Sequence, residues 1–526
     1  MTAPAREGRA RVWVDRGLPL SFPEREPSVS NRYPLTGVCL SGGSTRSLAA
    51  AVGQLRGLTA LGLIPRIGYL SAVSGGSWAA APYVYYPVPG VTDSEILGAV
   101  VPPEEISLSR LETIDQSYLG YSATLDLKTA LETLELDSMV PADEVWSRGV
   151  GQTFLAPFGL FAPAHPVGFT LERETLQAIL DRNPYLQADD LQLTRVSEAR
   201  PYLLIHATLN WPTGSPEHTQ KINFECSPLY VGAPRLHTMH TAGGMTRRLG
   251  GGYLEPFAFG CQAPLVSPDA QGLVPVTVPE RLFTLAHAIG ASSAFSTPDR
   301  ELRKYPHARC WPITGHGGED TAAEVLTDGG DLDNYGLISL LRRRVTRVIV
   351  FINTVWPLAL DYDPLRWPRR VQCREIDPFL APLFGQPSEQ FPHNQVFPKV
   401  DYVEIVRTLQ HAKRAGCAVL ATRTHRVCPN NWWGVEGGWD VRICWVYNER
   451  VPRWEERLRP ELRGLIARGH GSSPAGHFSH FPHYRTQGQN RDSLTRLTPA
   501  QVNLLAHLSC WNVTSNSEIV KELFSG

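Results

Sequence analysis

The sequence predicts an α/β protein with a parallel-rich central sheet flanked by helices. Three observations carry that prediction. A short apolar run followed by a glycine turn and a helical stretch occurs at 35–63 and again at 66–86. A similar unit returns late, and it ends in "VTRVIVFINT" (345–354), a continuous β-branched run suited to a strand buried on both faces. Alternation of strand, turn and helix is the pattern of βαβ units feeding a parallel sheet.

The elements follow in order. "LTGVCL" (35–40) reads as a strand that stops at Ser41-Gly42-Gly43, and "RSLAAAVGQLRGLTALGL" has the spacing and Ala/Leu content of a helix. "RIGYLSAVS" (66–74) reads as a second strand, broken at Ser74-Gly75-Gly76, with "SWAAAPYVYY" opening a second helix. Residues 85–200 are rich in proline and amphipathic stretches such as "LDLKTALETLEL" and do not continue the alternation; they are expected to form a cap inserted over the sheet. "NYGLISLLRRR" (334–344) predicts a helix, and "CAVLATR" (417–423) a further strand. The expected organisation is a partly disordered, polar N-terminal extension over 1–34 and one domain over 35–526. Near the end, Thr498-Pro499 opens "LTPAQVNLLAHLSCW", which reads as a capped, docked amphipathic helix.

Composition bounds the function. The 526 residues are 42% hydrophobic and 19% charged, enough apolar content for a sizeable core. The net charge of −1 and the absence of long like-charge runs exclude a polyanion footprint, since Arg342-Arg343-Arg344 is too short to be one. No nucleic-acid partner is expected. No apolar h-region follows the first basic residues, and no stretch reaches the roughly 18 uncharged apolar residues of a membrane span. Nine cysteines without CxxC spacing fit a reducing compartment, so a cytoplasmic protein is expected.

Both glycine turns fall where ligands gather in open parallel sheets, at the carboxyl ends of strands. The first, Ser41 to Arg46, has neither Walker nor GxGxxG spacing; it is either a tight turn or a set of backbone N–H groups facing an anion. The second meets the steric need of a nucleophile elbow. Small residues stand two before and two after Ser74, namely Ala72 and Gly76, although the usual glycine at the first of these positions is missing. A plain turn is the alternative. A serine hydroxyl needs a base, and "VLTDGGDLDNYGLISLL" (325–341) offers one: Asp328 after an apolar run, ahead of two glycines and a helix.

Together, Gly42-Gly43-Ser44-Thr45-Arg46, Ser74-Gly75-Gly76-Ser77-Trp78 and Asp328-Gly329-Gly330 with Asn334 resemble the patatin and cytosolic phospholipase A2 superfamily, most closely its fungal-type lysophospholipase branch. "INFECSPLYVGA" (222–233) and "AIGASSAF" (288–295) resemble two further family segments, and the resemblance runs in order from about 35 to 355. It implies a patatin-like acyl hydrolase with a Ser74–Asp328 dyad and an acyl-enzyme. By the same resemblance Gly42, Gly43 and Ser44 form the oxyanion loop, with Gly42 needed for its bend, and Ser44 stands where relatives have glycine. Arg46 is expected either to hold a substrate phosphate or to steady the loop. The implied substrate is a phospholipid or lysophospholipid at a transient membrane or micelle surface. No metal or other cofactor is expected, and the stretch before residue 35 leaves no room for a calcium-binding C2 module.

Two alternatives are a Ser-His-Asp carboxylesterase and a non-catalytic lipid-binding relative. The first would need a histidine such as His480 or His483. Those two and His477 have H-x₂-H-x₂-H spacing, a weak metal pattern on an extended segment, and His237 with His240 is weaker still. The tryptophan-rich stretch 430–447 fits core strands or a membrane-facing surface.

Overall fold

The computed structural model describes residues 7–17, 22–26, 33–195, 199–212, 219–240, 246–277, 281–295, 304–313, 323–366, 374–469, 478–486 and 496–525. The predicted centre is present. Strands β1 (Glu7–Val14), β2 (Thr36–Leu40), β3 (Tyr69–Val73), β4 (Tyr202–Trp211), β5 (Gln220–Cys226), β6 (Ala323–Asp328), β7 (Arg347–Ile352), β8 (Leu420–Arg426) and β9 (Asp440–Tyr447) belong to one large sheet. Its middle, in the order β4-β3-β2-β7-β9, is parallel throughout. β2, β3 and almost all of β7 are buried along their length, as strands covered on both faces must be.

The parallel centre is extended by antiparallel strands at both ends. β8 closes one edge against β9. Beyond β4 come β5, Val231–Gly232, Gly252–Leu254, β1 and Leu273–Thr277. The stretch expected to be a polar extension therefore supplies a strand. Alternate residues Ala10 and Val12 are buried in β1, a period-2 pattern that charged neighbours hide in the sequence.

Helices cover the faces. α1 (Ser44–Ala60) and α2 (Gly75–Tyr85) leave the glycine turns as predicted. Within 85–200 lie short helices, among them α3 (Val145–Phe154), and a small parallel pair, Gly168–Thr170 with Leu191–Leu193. This segment shares its core with the rest: Phe154 stacks on Trp78 at 3.9 Å, and Trp146 Nε1 donates to the Gly290 carbonyl at 2.9 Å. Gly290 lies on α4 (Leu285–Ser292), ahead of α5 (Leu337–Arg342). α6 (Pro499–Thr514) is N-capped by Thr498 in a capping box with Gln501 and packs along α1. Trp433 and Trp445 are buried core residues. Among the described residues no helix is long and apolar enough to cross a membrane.

Strand β6 departs from the expected pattern, and the departure builds the site. β3 runs parallel to β4 and pairs with residues 202–206, ending at Val73 opposite His206. β6 runs antiparallel to β4 and pairs with residues 207–210, ending at Asp328 opposite Ala207. Since β5 occupies β4's other edge, β3 and β6 share one edge and run towards each other. The residues at their meeting ends are Ser74 and Asp328.

Candidate active site

Ser74 sits in the corner between β3 and α2 with φ 50° and ψ −125°, a conformation that a non-glycine residue rarely adopts. Small neighbours permit the corner. A Cβ on Gly75 would lie 2.0 Å from the Ser44 carbonyl oxygen, and one on Gly76 would lie 2.3 Å from that of Leu40. The strained backbone is held on two sides: Ser74 N–H donates to Ser292 Oγ at 2.9 Å, and Ser77 N–H donates to the Ser74 carbonyl at 2.9 Å.

The Ser74 hydroxyl donates to Asp328 Oδ2 at 2.7 Å, with Ser74 4% and Asp328 7% exposed. Burial pushes the Asp328 pKa up to about 7. The Gly330 N–H, at 2.8 Å from Oδ1, and the Ser74 hydroxyl pull it back only in part, while the negative charge of Asp331 adds to the rise. Lys221 faces Asp331 at 3.6 Å. A carboxyl in this state exchanges a proton with a neighbouring hydroxyl near neutral pH, which is what a general base requires.

The glycine loop lies against the elbow. A Cβ on Gly42 would fall 3.2 Å from Ser74 Cβ and 2.2 Å from Asn334 Oδ1, so only glycine fits there. The Gly42 N–H is taken up by the Asn334 carbonyl at 3.0 Å. Gly42 therefore shapes the loop, and the amides of Gly43 and Ser44 follow it at the N-terminus of the 17-residue α1, where first-turn N–H groups have no acceptor within the helix. Ser44, in the place of the expected glycine, has φ 57°.

Arg46 is 5% exposed and donates through Nε to the Asn353 carbonyl at 3.1 Å and through Nη1 to the Tyr484 carbonyl at 2.7 Å. Burial lowers its pKa to about 10, with Asp377 opposing, so it stays charged at neutral pH.

The histidines stand elsewhere. His483 is buried between the Thr354 carbonyl and Glu449, His480 is exposed, and His477 lies outside the described residues. His206, across from Val73, bonds to Ser71 Oγ at 2.7 Å, and burial with Arg342 and Arg343 lowers its pKa to about 3 against the opposing pull of Glu225. His237 packs on Trp432 and His240 meets Thr246. Among the described residues no cluster of three or more His, Cys, Asp or Glu could hold a metal ion.

Two supporting residues carry no legible role in the sequence. Ser292 accepts the Ser74 amide, and the Ala294 carbonyl accepts the Asp328 N–H at 3.1 Å. The end of α4 and the two residues after it thus fix both members of the pair. The only sequence signal was the "AIGASSAF" resemblance.

No family model matches the chain. It is 45% identical to cytosolic phospholipase A2 zeta of Homo sapiens over 70 residues, which are 13% of this chain and 8% of that one. To the Mus musculus protein of the same name it is 46% identical over 48 residues, 9% and 6% of the two chains. Among solved structures it is similar to human GIVD cytosolic phospholipase A2, with a TM-score of 0.45, 13% identity and coverage of 94% of this chain. The chain spans 60% of that structure and a far smaller part of the curated relatives it matches. Both sequence matches are to proteins named cytosolic phospholipase A2 zeta, and neither names the fungal-type branch.

Proposed function

We propose that this chain is a lipid acyl hydrolase that cleaves a fatty-acyl ester of a phospholipid or lysophospholipid through a Ser74–Asp328 dyad. The observation that carries the proposal is the 2.7 Å bond from Ser74 to a carboxylate that is buried, has no ion-pair partner among the described residues and is poised near pH 7. The local similarity to cytosolic phospholipase A2 zeta supports the substrate class.

In this reading Asp328 takes the Ser74 proton as Oγ bonds to the ester carbonyl. The tetrahedral oxyanion is met by the N–H groups of Gly43 and Ser44, each worth about 10²–10³ in kcat if it behaves as such donors generally do. Asp328 then returns the proton to the leaving alkoxide, and the acyl-enzyme forms. Water attacks that acyl group as Asp328 accepts a proton from it, and Asp328 passes that proton to Ser74 Oγ as the Oγ–acyl bond breaks and the fatty acid leaves. Arg46, buried and bonded to two carbonyls, supports the loop; its geometry favours that role over holding a substrate phosphate. Substrate would be met at a membrane or micelle surface, in the cytoplasm.

Fatty-acid release from phosphatidylcholine and lysophosphatidylcholine micelles tests the proposal. Wild type is expected to release acid, and Ser74→Ala to release none above background. A folded wild type inactive on both substrates and on short-chain esters would favour a non-catalytic lipid-binding protein.

A further inference from the structure

The Phe/His/Pro segment at 478–486 has a use that its weak metal spacing does not suggest. It is docked at four points. The Pro482 carbonyl accepts from Asn448 Nδ2 at 3.1 Å, and the His483 ring lies between the Thr354 carbonyl and Glu449. The Tyr484 carbonyl receives Arg46 Nη1, and the hydroxyl of Thr486 donates to the Gly43 carbonyl at 3.2 Å. Thr486 is 3% exposed, and its bond reaches the half-buried Gly43.

The Gly43 carbonyl and the Ser44 N–H belong to one peptide unit, which is planar and trans, so fixing the carbonyl fixes the N–H in the opposite direction. That unit is flanked by ψ 30° at Gly43 and φ 57° at Ser44. Ser44 is not a residue that settles there by itself. Two donors hold its carbonyl side: the Ser47 amide at 3.3 Å, from the first turn of α1, and the Thr486 hydroxyl. On the other side, the Ser44 backbone nitrogen lies 2.7 Å from where a Cβ on Gly75 would be, beside the nucleophile.

We infer that Thr486 is a positioning residue for the oxyanion loop: its hydroxyl holds the Gly43–Ser44 peptide so that the Ser44 N–H faces the ester oxygen at Ser74. A segment 443 positions away in sequence thereby completes the front of the site. The inference rests on the acyl-hydrolase reading. A rotated peptide would turn a carbonyl, rather than an N–H, towards the developing negative charge.

The test is Thr486→Val, which removes the hydroxyl at nearly constant volume, with Thr486→Ser restoring it and Thr486→Ala as a second deletion should the valine fail to fold. Turnover of a p-nitrophenyl ester and affinity for a trifluoromethyl ketone, which forms a tetrahedral adduct at a serine, are measured on each. Loosening one oxyanion donor without removing it is expected to lower kcat about tenfold, a fraction of full donor loss, with KM unchanged. Ketone affinity should fall by the same factor, and the serine variant should recover both. A purely structural role would lower thermal stability and leave kcat and ketone affinity per folded molecule alone; kcat within twofold of wild type in both deletions overturns the inference. Fluorophosphonate labelling of Ser74→Ala in parallel separates the two claims. Labelling that persists there overturns the dyad and this inference with it, whereas lost labelling beside an unaffected Thr486→Val overturns this inference alone.

Discussion

Strand β4 has a buried carboxylate across each of its edges, and the two have opposite fates. Asp328 pairs in register with Ala207 on one side, Glu225 with His206 on the other. Burial raises the pKa of both. At Glu225 the guanidinium groups of Arg343 and Arg342, at 2.5 and 2.6 Å, overcome that effect and hold the carboxyl well below the usual range. Arg343 is shared with Glu24, so the far edge is a closed network of paired charges. At Asp328 only N–H and O–H donors oppose the burial, and the pKa stays near 7. Burial alone does not separate the two carboxyls. In the proposed reading the difference is the cation, which stands beside Glu225 and which no described ion pair brings to Asp328.

The largest effect should come from Asp328→Asn. An amide cannot take the Ser74 proton, so kcat should fall by about 10³ or more, within the range that general-base losses show, while the fold stays intact by circular dichroism. Retained esterase activity would break the comparison at once. Glu225→Gln is expected to do the reverse. It leaves the buried Arg342 without its counter-charge and Arg343 with Glu24 alone, at a cost of about 3–5 kcal/mol in denaturant unfolding, with kcat per folded molecule close to wild type. A loss of kcat without a loss of stability would place Glu225 on the wrong side of the contrast.

The pH dependence sharpens the same point. In the proposed dyad Asp328 acts in its ionised form, so kcat/KM should rise with pH through about 7 and level above it. For stability the sign is opposite to that of a salt-bridged acid. Its folded pKa lies above the unfolded value of about 3.9, so the native state binds the extra proton. The stabilising contribution is fully present below about pH 4 and is lost as pH rises through 7. Asp328→Asn, inactive, should therefore melt higher than wild type at pH 8 and not at pH 4. Thermal melts at both values check this.

The smallest effect concerns Ser44. Replacement by glycine removes the penalty of a positive φ but adds chain entropy to the unfolded state, and the two nearly cancel. Stability should move by no more than about 1 kcal/mol and activity should be kept. A large loss would mean that the serine side chain has a use that its unpartnered hydroxyl does not suggest.

Much of this was legible in the sequence, for identifiable reasons. The parallel centre announced itself because strands buried on both faces are unbroken apolar runs: β2, β3 and β7 fall within the predicted segments. Ser74 could be singled out because tight corners restrict residue type, whereas Asp328 and the glycine loop took their proposed roles from the family resemblance. The antiparallel flanks were not. β1 alternates arginines with small apolar residues and reads as polar, and nothing local reveals that β6 runs head-on into β3 along one edge of β4. Ser292, Ala294 and Thr486 act through single backbone bonds, which leave almost no compositional trace. The fate of Arg46 needed partners more than 300 residues away in sequence.

The central claim is that Ser74 is a nucleophile activated by Asp328. Intact-protein mass after incubation with a fluorophosphonate, on wild type, Ser74→Ala and Asp328→Asn, addresses it most directly. One adduct on wild type and none on either variant is the predicted result. An adduct that survives in Ser74→Ala, or that forms on Asp328→Asn at the wild-type rate, would contradict it.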